Sequence, residues 1–390
     1  MNPPRAAART LAFVLTTDWF FASHFLDRAL AARRAGWRVA LIARTGAATA
    51  GLRAQGIEVI DLPIGRASLN PLTEARAVVA LWRIYGRVRP DLLHHVALKP
   101  VVYGSLAARL AGIRHVVNAP IGMGFVFSSP GRLARLLRPL AVLALRLTLA
   151  PRGSVVVFEN PDDRAEMIAA GLVAEAAAVL IRGAGVDTAR FHPTPEPPEP
   201  VRVLLPARLV PEKGVHEFVA AARILRARGV AAEFLLAGAP DSDSRRTIAE
   251  ADLRAWSEEG AVQWLGPVED MAGLLSEVHI VCLPSYREGL PKALLEALAA
   301  GRPVVATDVP GCREAVHHGV NGLLVPPRDA EALAEALTRL IGDGPLRAAF
   351  GAAGRSRAET EFATAIVCRD TLALYEAMLP RAEPVLPVPA

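Results

Sequence analysis

Lysine is nearly missing from this chain. Of its 44 basic residues three are lysine, Lys99, Lys213 and Lys292, and the rest are arginine. A lysine in that background points to a place where a compact ammonium serves and a planar guanidinium does not; chance is the alternative. Cysteine is as scarce. Cys282, Cys312 and Cys368 are odd in number, far apart and without C-x-x-C spacing. That excludes a disulfide framework and a zinc site, and fits a reduced cytoplasmic protein. No run of 18 or more apolar residues is present, so no spanning helix is expected. The segment MNPPRAAARTLAFVLTTDW lacks the long apolar core of a signal peptide. No long basic run stands out, and 44 basic against 39 acidic residues leave +5. This argues against a nucleic-acid partner and suits anionic small molecules or an acidic membrane surface. No strand is followed by G-x-G-x-x-G with an acid about 20 residues on, which excludes the dinucleotide fingerprint of a dehydrogenase.

What is present is ample apolar material, 52% of 390 residues, enough for two domains. Short apolar runs alternate with helical patterns. Strands are expected at 10–16, 38–44, 57–64, 91–97, 115–121 and 154–160, and helices at 24–35, 72–88 and 100–112. HPTPEPPEP (192–200) has five prolines in nine residues and reads as an interdomain linker. The pattern then restarts, with strands at 201–207, 232–238, 262–266, 279–285, 303–308 and 322–326 and a helical run over 329–379. The tail RAEPVLPVPA reads as frayed. The fold class is α/β, two Rossmann-like domains in tandem. The divisions expected are 1–191, the linker 192–200, 201–350, and helices over 351–380 that cross back to the first domain. Open parallel sheets bind ligands at the carboxyl ends of their strands. The active site is therefore expected in the cleft between the domains.

The richest stretch is SYREGLPKALLEALAAG (285–301), with two acids, Glu288 and Glu296, eight residues apart. The strand 279–285 leads into the loop Tyr286–Leu290. Pro291 suits the first turn of the following helix, where a missing N–H costs nothing. Gly301 suits its C-terminal cap, and Leu294, Leu295 and Leu298 recur at core spacing. The N–H groups of Gly289, Leu290 and the first turn, with the helix dipole, make an anion site. An acid beside such a site needs another task, and carboxylates accept paired hydrogen bonds from sugar hydroxyls. The alternative is plain: Glu296 pairs with Lys292 at i,i+4 on a helix surface, and Glu288 is a solvated loop acid. A second signal tilts the balance. PARLVPEKG (206–214) puts Arg208 and Lys213 at the carboxyl end of the strand 201–207, on the same sheet edge as Glu288. Two cations there could clamp a diphosphate, each contact worth about 1.5–3 kcal/mol.

These residues carry a resemblance. With PSYREGLPKALLEALAAGRPVVATDVPGCREAV and NGLLVPP, PARLVPEKG resembles the retaining glycosyltransferases of family 4, which have the GT-B architecture. The E-x7-E pattern is met by Glu288 and Glu296. The resemblance implies that Arg208 and Lys213 bind the diphosphate of a nucleotide sugar. It implies that Glu288, Gly289, Leu290 and Pro291 hold the donor sugar and distal phosphate, and that Glu296 accepts from the ribose hydroxyls. Glu288, Arg208 and Lys213 are then the catalytic candidates. Both acids belong to the donor domain, so they are not the acid/base pair of a hydrolase. Leaving-group charge falls to the clamp and the helix N-terminus.

In the first half, TTDWFFASHFLDRALAARRAGWRVALIAR, HHVALKPVVYGSLAARLAG, VVNAPIGMGFVF and VVVFENPDDR resemble a subgroup acting on polyprenyl-diphosphate-linked glycans. One departure stands out. Many members carry a histidine after the strand matching HVVNAPI, where this chain has Ile121 and then Gly122. A mechanism that relies on that side chain has no counterpart here. Asp18, His24 and Lys99 lie at strand ends and are acceptor-side candidates. His94 and His95 read as ordinary strand histidines. In GRLARLLRPLAVLALRLTLAPRG (131–153), Arg132, Arg135, Arg138 and Arg146 share one side of a helix. That suits an anionic membrane surface; an ordinary packed helix with a solvated arginine edge is the alternative. Asp241-Ser-Asp243 resembles a metal-binding D-x-D, but two loop carboxylates are sparse for Mg²⁺ without substrate phosphates, so no metal is expected. No cofactor is expected beyond the nucleotide-sugar cosubstrate.

The expectation is a retaining, metal-independent hexosyltransferase. It moves an N-acetylhexosamine or related hexose from a UDP donor to a lipid-linked glycan at the inner membrane face. A GT-B epimerase would bind the same donor without an acceptor, and a non-catalytic partner subunit would fit the missing histidine.

Overall fold

A computed structural model describes residues 8–62, 70–121, 139, 142–149, 153–241 and 246–379. The chain divides into two compact units. The first comprises Met1–Phe158, Glu166–Ile181 and Cys368–Ala390, and the second Glu159–Ala165 and Arg182–Val367.

Among the described residues the first unit holds a seven-stranded sheet of order β3-β2-β1-β4-β5-β6-β7, with parallel pairing throughout. Its strands are β1 (Thr10–Thr17), β2 (Arg38–Arg44), β3 (Glu58–Asp61), β4 (Leu92–Val96), β5 (Val116–Ala119), β6 (Ser154–Phe158) and β7 (Ala178–Leu180). All eight residues of β1 are buried, as a central strand covered on both faces requires. The helix expected at 24–35 is two helices, Asp18–His24 and Leu26–Arg34. Phe25 breaks them with φ −125°, outside the helical range. Short β7 and the helix Pro161–Ala169 were not expected from periodicity.

Strand β4 carries His94 and His95 on opposite faces. His95 accepts from the Tyr85 hydroxyl at Nε2 (3.0 Å) and donates from Nδ1 to Asn118 Oδ1 (2.9 Å). Asn118 Nδ2 in turn donates to the Leu149 carbonyl (2.8 Å). Burial holds the His95 pKa down at about 4. His94 stacks on Phe13 and bonds the Tyr375 hydroxyl (2.6 Å) from the C-terminal helix Thr364–Met378. Its pKa is lowered by burial and by the nearby Arg28 and His95. Both are core histidines, as read from the sequence.

The second unit holds, among the described residues, a six-stranded parallel sheet of order β10-β9-β8-β11-β12-β13. Its strands are β8 (Val201–Pro206), β9 (Ala232–Ala237), β10 (Gln263–Gly266), β11 (Ile280–Leu283), β12 (Val304–Thr307) and β13 (Gly322–Val325). Leu294, Leu295 and Leu298 of the helix Lys292–Ala299 are fully buried against this sheet's apolar side chains. The helical run 329–379 is three helices, Ala330–Gly342, Gly344–Thr360 and Thr364–Met378. Asp343 makes the first break by capping the Leu346 N–H. Cys282, Cys312 and Cys368 are buried free thiols.

The proline-rich segment 192–200, expected as an interdomain linker, packs along the second unit. Buried Arg302 donates to Thr194 Oγ1 (2.5 Å), Arg347 grips Glu196 with two bonds of 2.9 Å, and His279 Nε2 donates to the Pro197 carbonyl (3.0 Å). Proline removes backbone donors but leaves carbonyls; His279 uses that of Pro197 and Arg302 that of Pro195 (3.4 Å), while Arg347 takes the Glu196 carboxylate.

Candidate functional site

The donor-side candidates all lie in the second unit, at the carboxyl ends of neighbouring strands β8 and β11. After β8 the chain makes a 3₁₀ turn, Pro211–Lys213, and passes through Gly214 at φ +72°. A Cβ there would sit 2.0 Å from the Pro284 carbonyl oxygen, so the turn presses onto the end of β11 in a way only glycine permits. The Tyr286 N–H then donates to the Glu212 carbonyl (2.9 Å). This close approach brings Lys213 Nζ to 2.5 Å from Glu288 Oε1, with both side chains largely buried. Arg208 pairs with Asp241 and is half exposed. Ser242 and Asp243 of the D-x-D lie outside the described residues.

The loop after β11 is anchored from several directions. Thr307 Oγ1 donates to the Ser285 carbonyl. Asn160 Nδ2 donates to the Gly289 carbonyl (2.7 Å), and Arg287 pairs with Asp163 (3.0 Å). A Cβ on Gly311 would lie 2.2 Å from the Gly289 oxygen, so the start of the helix Pro310–Ala315 packs directly beneath the loop. Leu290 is buried. Pro291 is the N-cap residue (φ −72°, ψ 117°) and not part of the first turn, because an extended ψ suits the residue that enters a helix. The N–H groups of Lys292 and Ala293 precede the first intrahelical bond, Leu294 N–H to the Pro291 carbonyl.

Glu296, one turn in, lies 3.6 Å from Lys292. Burial raises its pKa above the usual carboxylate range, and Lys292 and Arg190 oppose that rise. A merely solvated surface pair would show no such burial. Each of the three lysines thus meets a glutamate: Lys99 with Glu74 (2.9 Å), Lys213 with Glu288 and Lys292 with Glu296.

The acceptor-side candidates lie in the first unit, each with separate local partners. Buried Asp18 accepts from the Gly46 N–H (2.7 Å) and Thr49 Oγ1 (2.8 Å), tying the end of β1 to the turn after β2. His24 stacks on Phe20 with ring centroids 4.3 Å apart. Lys99 pairs with Glu74 (2.9 Å), and burial together with the Glu74 carboxylate raises the pKa of Tyr103. Ile121 ends the described stretch after β5; Gly122 and most of 131–153, including Arg132, Arg135 and Arg138, fall outside it.

Sequence reasoning missed Asn160, Asp163, Tyr286 and Glu217 as site-building residues. Asn160 caps the helix Pro161–Ala169 through the Asp163 N–H (2.8 Å). The Asn-Pro-Asp run is a readable cap signal, but its bond to Gly289, 129 residues on, is not.

A model described as Glycosyl transferases group 1 matches residues 200–343, and one described as Glycosyl transferase 4-like matches residues 10–150. A Campylobacter jejuni relative is 30% identical over 310 residues, covering 76% of this chain and 80% of its own. It is named N,N'-diacetylbacillosaminyl-diphospho-undecaprenol alpha-1,3-N-acetylgalactosaminyltransferase. The chain belongs to glycosyltransferase family 4. Solved structures share the fold at low identity. Anabaena HepE in complex with UDP and glucose superposes with TM-score 0.75 at 20% identity, over 94% of this chain and 99% of its own. Sucrose-phosphate synthase from Thermosynechococcus elongatus gives TM-score 0.78 at 20% identity, over 95% and 99%. The transferase therefore has the GT-B fold, with one Rossmann-like sheet in each unit.

Proposed function

We propose that this transferase moves an N-acetylhexosamine or related hexose from a UDP-sugar to a polyprenyl-diphosphate-linked glycan. Configuration is retained and no metal is needed. The observation that carries the donor assignment is the Lys213–Glu288 pair at the joined ends of β8 and β11, with Arg208 on the same edge. A diphosphate carries more charge than one carboxylate and competes for Lys213 and Arg208 through charge-assisted bonds. Once the diphosphate takes the Lys213 ammonium, Glu288 is released to accept from sugar hydroxyls. The opening N–H groups of the helix Lys292–Ala299 add a fixed positive end for charge that develops on the leaving group. Glu296, a turn further on, accepts from the ribose. UDP as the nucleotide is supported by the UDP complex of HepE. The N-acetylhexosamine and the lipid-diphosphate acceptor are supported by the name of the Campylobacter relative.

Such an acceptor sits at a membrane, and the first unit carries features that fit one. From residue 92 to residue 158 the sequence contains no aspartate or glutamate, yet it contains Lys99 and Arg109, Arg114, Arg132, Arg135, Arg138, Arg146 and Arg152. The helix Leu98–Leu110 and helical residues 142–148 share a buried core of Val101, Leu145 and Leu149. Leu106, Leu110, Leu143 and Leu147 remain exposed beside Arg109 and Arg146. Apolar side chains beside cations suit the interface of an anionic bilayer. Among the described residues no helix is long and apolar enough to cross a membrane. The contact proposed is peripheral, at the cytoplasmic face.

The test of the reaction is Glu288→Ala. Sugar transfer to a polyprenyl-diphosphate glycan should be abolished while UDP still binds. Unchanged turnover would remove Glu288 from the mechanism.

A further inference from the structure

Arg328 follows β13 and adopts φ +63°, the left-handed region that a side chain occupies only at a cost in free energy. Its neighbour Asp329 caps the helix Ala330–Gly342 through the Ala332 N–H (2.9 Å), which fixes where the strained residue sits. Strained backbone persists where the surroundings determine it, and it gathers at functional sites. The Arg328 guanidinium lies over the Tyr286 ring, 4.5 Å from its centroid. Among the described residues it forms no ion pair. On the other side, the Tyr286 hydroxyl donates to Glu217 Oε1 (2.6 Å). Burial and the Glu217 carboxylate push the phenol pKa up to about 12, so it remains a donor. Glu217 Oε2 is buried with no hydrogen-bond partner, so the phenol is the bond that compensates this carboxylate.

The stack therefore joins three segments. Glu217 opens the helix Val215–Ala227 directly after the Lys213 turn. Tyr286 stands two residues before Glu288 and its own N–H holds the Glu212 carbonyl. Arg328 comes from the far edge of the same sheet. We propose that Arg328, Tyr286 and Glu217 form a positioning brace that fixes the Glu288 loop against the Lys213 turn and so sets the spacing of the two segments that hold the donor's sugar and its diphosphate. None of the three is a catalytic residue. The inference rests on the UDP-sugar reading of this site.

The experiment measures UDP affinity by calorimetry, and unfolding temperature without nucleotide, for the wild-type chain, Arg328→Gly, Arg328→Lys and Tyr286→Phe. Arg328→Gly removes the cation and relieves the backbone. It should weaken UDP binding about tenfold, as a misplaced binding group does, while the unfolding temperature holds or rises. Arg328→Lys keeps a cation over the ring and should restore most of the affinity. Tyr286→Phe should weaken UDP binding to a similar extent as Arg328→Gly. Wild-type affinity in Arg328→Gly would overturn the brace alone and leave the donor site standing. Affinity lost in step with unfolding temperature, in both Arg328→Gly and Tyr286→Phe, would assign the ring to packing and also overturn it. No binding of UDP by the wild-type chain would overturn the donor reading and the brace with it.

Discussion

Glu296, the residue proposed to hold the ribose, has its charge governed by burial. Burial raises its pKa, and Lys292 at 3.6 Å only partly offsets this. A protonated carboxyl loses acceptor capacity for ribose hydroxyls. Hydroxyls that donate to the carboxylate stabilise its charged form, so nucleotide binding should pull the pKa back down. The sign follows: UDP affinity should weaken as pH falls through the raised Glu296 pKa and recover as pH rises above it. Calorimetry across that range should show this slope, and Glu296→Gln should flatten it. A slope that persists in Glu296→Gln would assign the titration elsewhere. At this scale the sequence was most informative where spacing coincides with a helix start. Glu288, Lys213 and Arg208 occupy the strand ends that their neighbours predicted. Arg328 could not have been found: nothing in VPPRD announces a left-handed arginine or its contact with Tyr286, 42 residues away.

Among the elements, β4 couples sheet and helices of the first unit through its two histidines. His95 is neutral in the fold, with Nε2 accepting and Nδ1 donating. Its pKa is near 4 in the fold against the ordinary 6.5. The unfolded chain therefore takes up a proton first as pH falls. Stability is full above about 6.5, drains as pH falls toward 4 and then levels, a loss of about 3 kcal/mol from this residue. His94, also lowered, acts with the same sign. The unfolding transition of the first unit should move down by several degrees between pH 7 and pH 5, since about 1 kcal/mol is worth roughly 2–4 °C at this size. A flat profile over that interval would contradict the neutral, buried network. Strands with strong apolar runs were legible here, because burial on both faces leaves a continuous signal. Short elements such as β7, and the break at Phe25, were not. They depend on what packs against them, and three residues carry no period to read.

For the whole molecule, the two-sheet architecture was legible from the restart of the strand-helix pattern at Val201. The proline segment before it was legible as a breaker but not as a packed strap, because Arg302, Arg347 and His279 that hold it lie 82 to 151 residues on. Two proposals belong to this scale. One is attachment to a surface. Reversing charge at Arg132, Arg135 and Arg138 should release the protein from anionic vesicles in co-sedimentation, since each basic residue near such a surface contributes about 1 kcal/mol. Equal sedimentation of variant and wild type would favour an ordinary packed helix.

The other is donor recognition, and it is the first thing to measure. The thermal unfolding of the purified protein should be recorded with UDP, GDP, ADP and NAD in turn, and again for an Arg208→Ala, Lys213→Ala variant. A nucleotide at about 100 times its dissociation constant adds roughly 2.7 kcal/mol, several degrees for a domain of this size. A rise with UDP alone, lost in the variant, is the expected result. A rise with GDP or ADP in place of UDP would contradict the donor, and no rise with any nucleotide would contradict the clamp itself.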